Sequence, residues 1–140
     1  MGRLLGLDIG ERRIGVAVCD ETRTLARPLL TLKRASKRED FARILMLCRE
    51  HQIDQIIAGL PRTLRGDEGR QAQRVRRYAD ELSAAIDVPV EFWDERYSSV
   101  EAQDRLAVSS RKARAKGDID AAAAAIILQE YIDAYNQPAA

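Results

Sequence analysis

The sequence predicts a mixed α/β architecture: a five-stranded sheet with helices on both faces, in a single domain over residues 1–140. Two observations predict it. Three short apolar segments with tight connections open the chain, which makes a three-strand antiparallel meander. The later apolar segments alternate with stretches of helical period, which makes two strands parallel to the first. The order reads β-β-β-α-β-α-β-α-α. In open α/β sheets ligands bind beyond the carboxyl ends of the strands, so acids at those ends are the first site candidates.

The first strand, Leu4 to Ile9, is almost continuously apolar, which suits a central strand buried on both faces. One charge interrupts it, Asp8. An isolated buried carboxylate is costly unless it is paired, protonated or bound to a metal, although a strand-end Asp can also simply cap a turn. Gly10 and Glu11-Arg12-Arg13 form the turn into the second strand, Ile14 to Cys19. Gly15 lies within that strand, where a missing side chain lets another group approach the backbone. The third strand is Arg27 to Leu32, and Pro28 assigns it an edge position or a strand start.

Ser36 with Glu39 three residues on is a capping box. Phe41, Ile44, Leu45, Leu47 and Cys48 mark the apolar face of the helix it starts, which ends near His51. Ile53 to Ala58 is the fourth strand, stopped by Gly59-Leu60-Pro61. A loop from Arg62 to Gly69 leads into a long helix with Ala72, Val75, Tyr78, Ala79, Leu82, Ala85 and Ile86 at helical spacing. Val88 to Trp93 is the fifth strand and ends at Asp94-Glu95-Arg96. Ser98 or Ser99 then caps a short helix through Leu106, and Ser109 to Gly117 reads as a mobile basic loop. Five consecutive alanines, the best helix formers, build the last helix from Ile119 to Tyr135.

Composition describes a globular chain, 46% hydrophobic and 32% charged, with a net charge of only +1. The distribution is less neutral than the sum. Arg62 to Arg77 holds six arginines, and Arg105 to Gly117 holds five bases and no acid. From Asp118 onward there are four acids and no base. Such segregation makes local fields that a net charge hides. Cys19 and Cys48 sit in apolar-patterned segments and read as reduced core residues of a cytoplasmic protein. No signal peptide and no membrane-spanning run is visible.

Acids fall at three separate element ends: Asp8, Asp94-Glu95, and Asp118 with Asp120. Clustered carboxylates repel one another unless a cation joins them, and hard oxygen ligands suit Mg²⁺ or Mn²⁺. Two such ions can clamp the attacking and leaving oxygens of a phosphodiester. No Cys/His spacing suggests zinc, and His51 is the only histidine, so no Ser-His-Asp set exists. Each acid also has a structural reading. Asp118 is a plausible N-cap, Asp120 a first-turn acid favoured by the helix dipole, and Asp94-Glu95-Arg96 a self-paired turn. The arginine run on the second helix reads equally as a solvated face.

Four ordered motifs, together covering nearly the whole chain, resemble the YqgF/RuvX family. They are Leu7-Asp8-Ile9-Gly10 with Ile14-Gly15-Val16-Ala17-Val18, Gly59-Leu60-Pro61 with Gly66, Asp94-Glu95-Arg96 with Ser98, Val100, Glu101 and Ala102, and Lys116-Gly117-Asp118-Ile119-Asp120-Ala121 with Ala124, Ile126, Ile127 and Leu128. The family belongs to the ribonuclease H-like superfamily, and its bacterial members are described as Holliday junction resolvases and as pre-16S ribosomal RNA nucleases. The resemblance implies a ribonuclease H-like fold and metal-dependent phosphodiester hydrolysis. It assigns the metal-binding and catalytic roles to Asp8, Glu95 and Asp120, with Asp94 the weaker choice beside Glu95 and Asp118 ranked below Asp120. The turn Glu11-Arg12-Arg13 departs from the Thr-Lys-Ser-like residues expected there, so its contact to a phosphate differs.

The expected chemistry uses two Mg²⁺ or Mn²⁺ ions on Asp8, Glu95 and Asp120. Arg12, Arg62, Arg65 and Arg96 position phosphates, and Arg111, Lys112, Arg114 and Lys116 make wider backbone contact without reading sequence. The substrate is nucleic acid, precursor ribosomal RNA ahead of branched DNA. A junction resolvase making paired cuts is a two-fold dimer, and Trp93, Tyr131 and Tyr135 contribute to such a face if exposed; the sequence is compatible with a monomer or a homodimer. Two other classes compete. Asp-x-Gly before a hairpin also resembles the phosphate-binding start of actin-like and sugar-kinase ATPases, which need two such domains. The third is an RNA-binding assembly factor without catalysis.

Overall fold

The computed structural model describes residues 2–61, 69–94 and 118–136. Strands β1 (Arg3–Ile9), β2 (Arg13–Cys19) and β3 (Ala26–Lys33) open the chain. Helix α1 (Lys37–Glu50), strand β4 (Ile53–Leu60), helix α2 (Arg70–Ala85), strand β5 (Val90–Asp94) and helix α3 (Ile119–Asn136) follow. The sheet order is β3-β2-β1-β4-β5. β1 pairs antiparallel with β2, and β2 with β3; β4 runs parallel to β1, and β5 to β4. This is the meander plus two parallel strands expected from the sequence. The short helix after Ser98 and the basic loop from Ser109 to Gly117 lie outside the described residues.

Strand alternation divides the core into two layers. Leu5, Leu7 and Ile9 of β1, with Ile14, Val16 and Val18 of β2, meet Ile44 and Leu47 of α1 and Val75 and Leu82 of α2. On the other face Leu4, Ala17, Cys19 and Ile57 meet Ala124, Leu128 and Ile132 of α3. β1 is thus covered on both sides, which is why its sequence is an unbroken apolar run apart from Asp8. A Cβ on Gly6 would stand 2.9 Å from the Leu128 Cβ, so α3 lies directly on the strand. Gln129 of α3 is fully buried; its Oε1 accepts from Ala26 N at 2.8 Å and its Nε2 donates to Thr24 O at 3.0 Å.

Pro28 occupies the predicted edge strand. Leu30 pairs with Val16 and Pro28 with Ala17, so Leu29 is the extra residue of a bulge. Ser36 is the N-cap of α1 and its hydroxyl accepts from Glu39 N at 3.1 Å. His51 is the C-cap residue, and both cysteines are free and buried. Of the three aromatic residues named for a dimer face, Trp93 is half-buried. Tyr131 is buried and packs edge-on against Trp93 at 5.8 Å, and the Trp93 indole donates to Glu130. Only Tyr135 of the three is well exposed.

One buried charge organises the α1–α2 layer. Asp40 is 1% exposed. Its Oδ1 accepts from Ala35 N at 2.9 Å and from Arg43 at 3.0 Å, and its Oδ2 from the Tyr78 hydroxyl at 3.0 Å. Arg34 stacks over the Tyr78 ring at 4.4 Å and donates to Gly10 O at 3.0 Å. The network ties α1, α2 and the β1–β2 turn together. Asp40→Ala leaves Arg34, Arg43 and Tyr78 without their shared partner. A loss of about 3 kcal/mol is expected, measured by urea unfolding.

Candidate active site

Asp8 is the penultimate residue of β1 and shares the α3-facing side of the strand with Leu4 and Gly6. Its antiparallel partner is Gly15. Leu7 pairs with Ala58, so one step further along β1 and β4 Asp8 stands beside Gly59, and Gly59 pairs with Trp93. A row of Gly15, Asp8, Gly59 and Trp93 therefore crosses the α3-facing side of the sheet. Gly15 and Gly59 put no side chain beside Asp8 on this face.

The second acid arrives through Gly15. A Cβ built there would stand 1.8 Å from the Asp120 carbonyl oxygen and 2.9 Å from Ala121 N. Nothing larger than hydrogen fits, so Gly15 is what lets the first turn of α3 rest on β2 beside Asp8. The close approach expected at this glycine is made by Asp120. Ala122 N donates to Asp118 O at 3.0 Å, closing that first turn, so Asp118 stands at the helix start and Asp120 inside it.

The two carboxylates feel each other. Burial, and secondly the Asp120 charge, push the Asp8 carboxyl from its ordinary 3.8 up to about 6. Asp120 is answered on its open side by Arg13, whose Nε donates to Oδ2 at 2.9 Å. Arg13 was not among the sequence candidates. Alternation gives its signal: it lies two residues before Gly15 and so on the same face of β2.

Arg12 is exposed in the β1–β2 turn, and its carbonyl accepts from Arg34 N at 2.8 Å. Glu11 of the same turn forms an ion pair with Arg74 of α2. Asp94 ends β5 opposite Leu60, and alternation sets it on the side of Val90 and Phe92, which pack in the α1–α2 layer. Asp8 and Asp120 are thus brought together, and Asp94 lies on the other side of the sheet. Glu95, Arg96, Arg62, Arg65, Arg111, Lys112, Arg114 and Lys116 fall outside the described residues. Among the described residues no group of three or more His, Cys, Asp or Glu side chains could hold a metal ion.

A family model described as "RuvX: Holliday junction resolvase" matches residues 2–134. The chain belongs to the RuvX family. A relative from Thermoanaerobacter pseudethanolicus, named "Putative pre-16S rRNA nuclease", is 43% identical over 133 residues, 94% of this chain and 96% of that one. One of the same name from Syntrophus aciditrophicus is 45% identical over 138 residues, 96% of this chain and 91% of that one. Among solved structures, RuvC of Thermus thermophilus in complex with a Holliday junction superposes with a TM-score of 0.60 at 16% identity, covering 96% of both chains. The fowlpox virus Holliday junction resolvase gives 0.55 at 16% identity, covering 95% of this chain and 99% of that one. The RuvX chain therefore has the fold of the ribonuclease H-like resolvases.

Two outcomes test the geometry. Gly15→Ala has no room for its methyl group and is expected to lose about 3 kcal/mol, read by urea unfolding, as α3 is forced off β2. Asp8 gives a pH-dependent outcome. Because its carboxyl titrates higher in the fold than in the unfolded chain, the metal-free fold loses stability as pH rises from 3.8 to about 6. Asp8→Asn removes that loss. In metal-free buffer it should be about 3 kcal/mol more stable than the parent at pH 7 and equal to it near pH 3.

Proposed function

We propose that this RuvX chain is a metal-dependent nuclease of structured nucleic acid, with precursor 16S ribosomal RNA as its main substrate. The observation that carries the reading is the Asp8–Asp120 pair at the carboxyl end of the central strand: the Asp120 backbone rests on Gly15, the strand partner of Asp8, and burial together with the Asp120 charge pushes Asp8 to about 6. Such a pair is stabilised by a divalent cation, and its oxygen-only donors suit Mg²⁺ or Mn²⁺. Asp8 and Asp120 would hold the metal with Glu95 as the third acid. Asp94 is the weaker choice, since alternation sets it on the opposite side of the sheet. When bound, two such ions supply Lewis acidity to the attacking water and to the leaving oxygen.

The chain's own groups do the rest. Arg13 fixes one oxygen of Asp120 and holds the pair's orientation. Arg12, Arg62, Arg65 and Arg96 position phosphates near the acids. Arg111, Lys112, Arg114 and Lys116 extend the backbone contact, which is sequence-independent. The name shared by the curated relatives favours RNA. The buried free cysteines suit a reducing compartment, the cytoplasm, and no described helix is long and apolar enough to cross a membrane.

A second reading, resolution of four-way DNA junctions, is favoured by the family's description and by the RuvC-like fold. It requires a two-fold dimer making paired cuts. One assay separates the readings. A labelled precursor 16S RNA fragment and a four-way DNA junction are incubated with Mn²⁺ or Mg²⁺ and the parent, Asp8→Asn, Asp120→Asn or Glu95→Gln proteins. RNA cleavage by the parent is expected. Each substitution should lower it by more than the roughly 10–100-fold that removal of an outer-shell metal partner typically costs. Paired junction cuts instead would assign a resolvase, and binding with no cleavage of either substrate would assign an assembly factor.

A further inference from the structure

Helix α2 carries the described part of the arginine run. Arg70, Arg74 and Arg77 are exposed and spaced i, i+4, i+7, so they form one stripe along its first two turns. Arg74 pairs with Glu11 of the β1–β2 turn, which places the stripe at the edge where β1 ends, next to the Asp8 end of that strand. Arg70 and Arg77 have no hydrogen bond or ion pair among the described residues. Arg34 adds a further cation, lining with Gly10, Glu11 and Arg74 a cleft between the turn and α2.

Helix stability does not explain these arginines. The amino end of a helix is electropositive and favours acids, yet the first turn of α2 has none and its N-cap, Gly69, offers no side-chain bond. Cations three and four apart on one face repel. A polyanion reverses every one of these terms. The stripe spans roughly 10 Å of helix axis, enough for about three phosphates at 3.4 Å of rise per nucleotide.

We propose that α2 is a second phosphate-backbone contact. Nucleic acid whose reacting phosphate lies at Asp8 and Asp120, on the α3 side, crosses the carboxyl edge of the sheet. It lays flanking backbone along Arg70, Arg74 and Arg77 on the α2 side. The partner's identity rests on the nuclease reading; the surface itself rests on the charge and placement of α2.

The test is binding without metal. A fluorescent precursor 16S RNA hairpin and a four-way DNA junction are titrated in chelator with 50 to 200 mM salt. The proteins are the parent, Arg70→Gln/Arg77→Gln, and Arg49→Gln, which removes a cation from the last turn of α1 at the opposite end of the sheet. The double variant should lose at least tenfold in affinity at 50 mM salt, and its slope of log affinity against log salt should flatten by about 1.5. Arg49→Gln should stay within twofold of the parent. Circular dichroism and a melting temperature at or above the parent's should show that the double variant is folded. Parental affinity and slope in the folded double variant, an equal loss in Arg49→Gln, or no binding of either probe by the parent would each overturn the proposal. Binding by the parent with the expected loss, but no cleavage when metal is restored, would overturn the nuclease reading and leave this surface standing.

Discussion

Everything in the site depends on one close approach, the first turn of α3 against Gly15. A carboxylate on the middle strand of a covered sheet has to be answered by whatever covers it. Here the covering helix brings a second carboxylate instead of a base, and it comes near enough only because β2 has no side chain at that point. Asp8 is driven upward by burial and by Asp120, and Asp120 is steadied by Arg13. The fold accepts an electrostatic cost at this spot that the rest of the core avoids. Asp40 shows the contrast: a more deeply buried carboxylate, but one supplied with Arg43, Tyr78 and a backbone amide.

Placement at the end of the parallel strands follows from the same topology. α2 and α3 approach from opposite faces, and both begin at the edge where β1 ends. Their amino ends therefore add positive potential on either side of the acid pair. Between them lies the β1–β2 turn, held on the α2 side by Glu11 to Arg74 and by Arg34 to the Gly10 carbonyl. The rim there sets the acid pair among bases.

Much of this was legible in the sequence, for reasons that differ residue by residue. The apolar run around Asp8 showed a strand covered on both faces with one charge in it. Gly15 showed a close contact without showing with what. Pro28 showed the edge, and Ser36 with Glu39 the start of α1. Period alone did not reveal Asp40, because Glu39 and Asp40 look alike as first-turn acids, and only the packing of α2 puts one of them under Tyr78. Arg13 was hidden in a basic turn, although counting back two residues from Gly15 sets it on the side of the acids. The same count along β5 separates Asp94 from that side. The condition set on Trp93, Tyr131 and Tyr135, that they be exposed, could not be decided from the sequence, because the burial of Tyr131 depends on how α3 lies on the sheet.

The bulge in β3 has a consequence beyond its own strand. An edge strand is an invitation to pair with a strand from another molecule, and Pro28 with the extra Leu29 spoils the hydrogen-bonding row on that flank. β5 (Val90–Asp94) forms the opposite flank. Continuous sheet extension between copies is thereby discouraged at the β3 border. A dimer of this chain that used the β3 flank would be set by side-chain packing and not by a shared ladder.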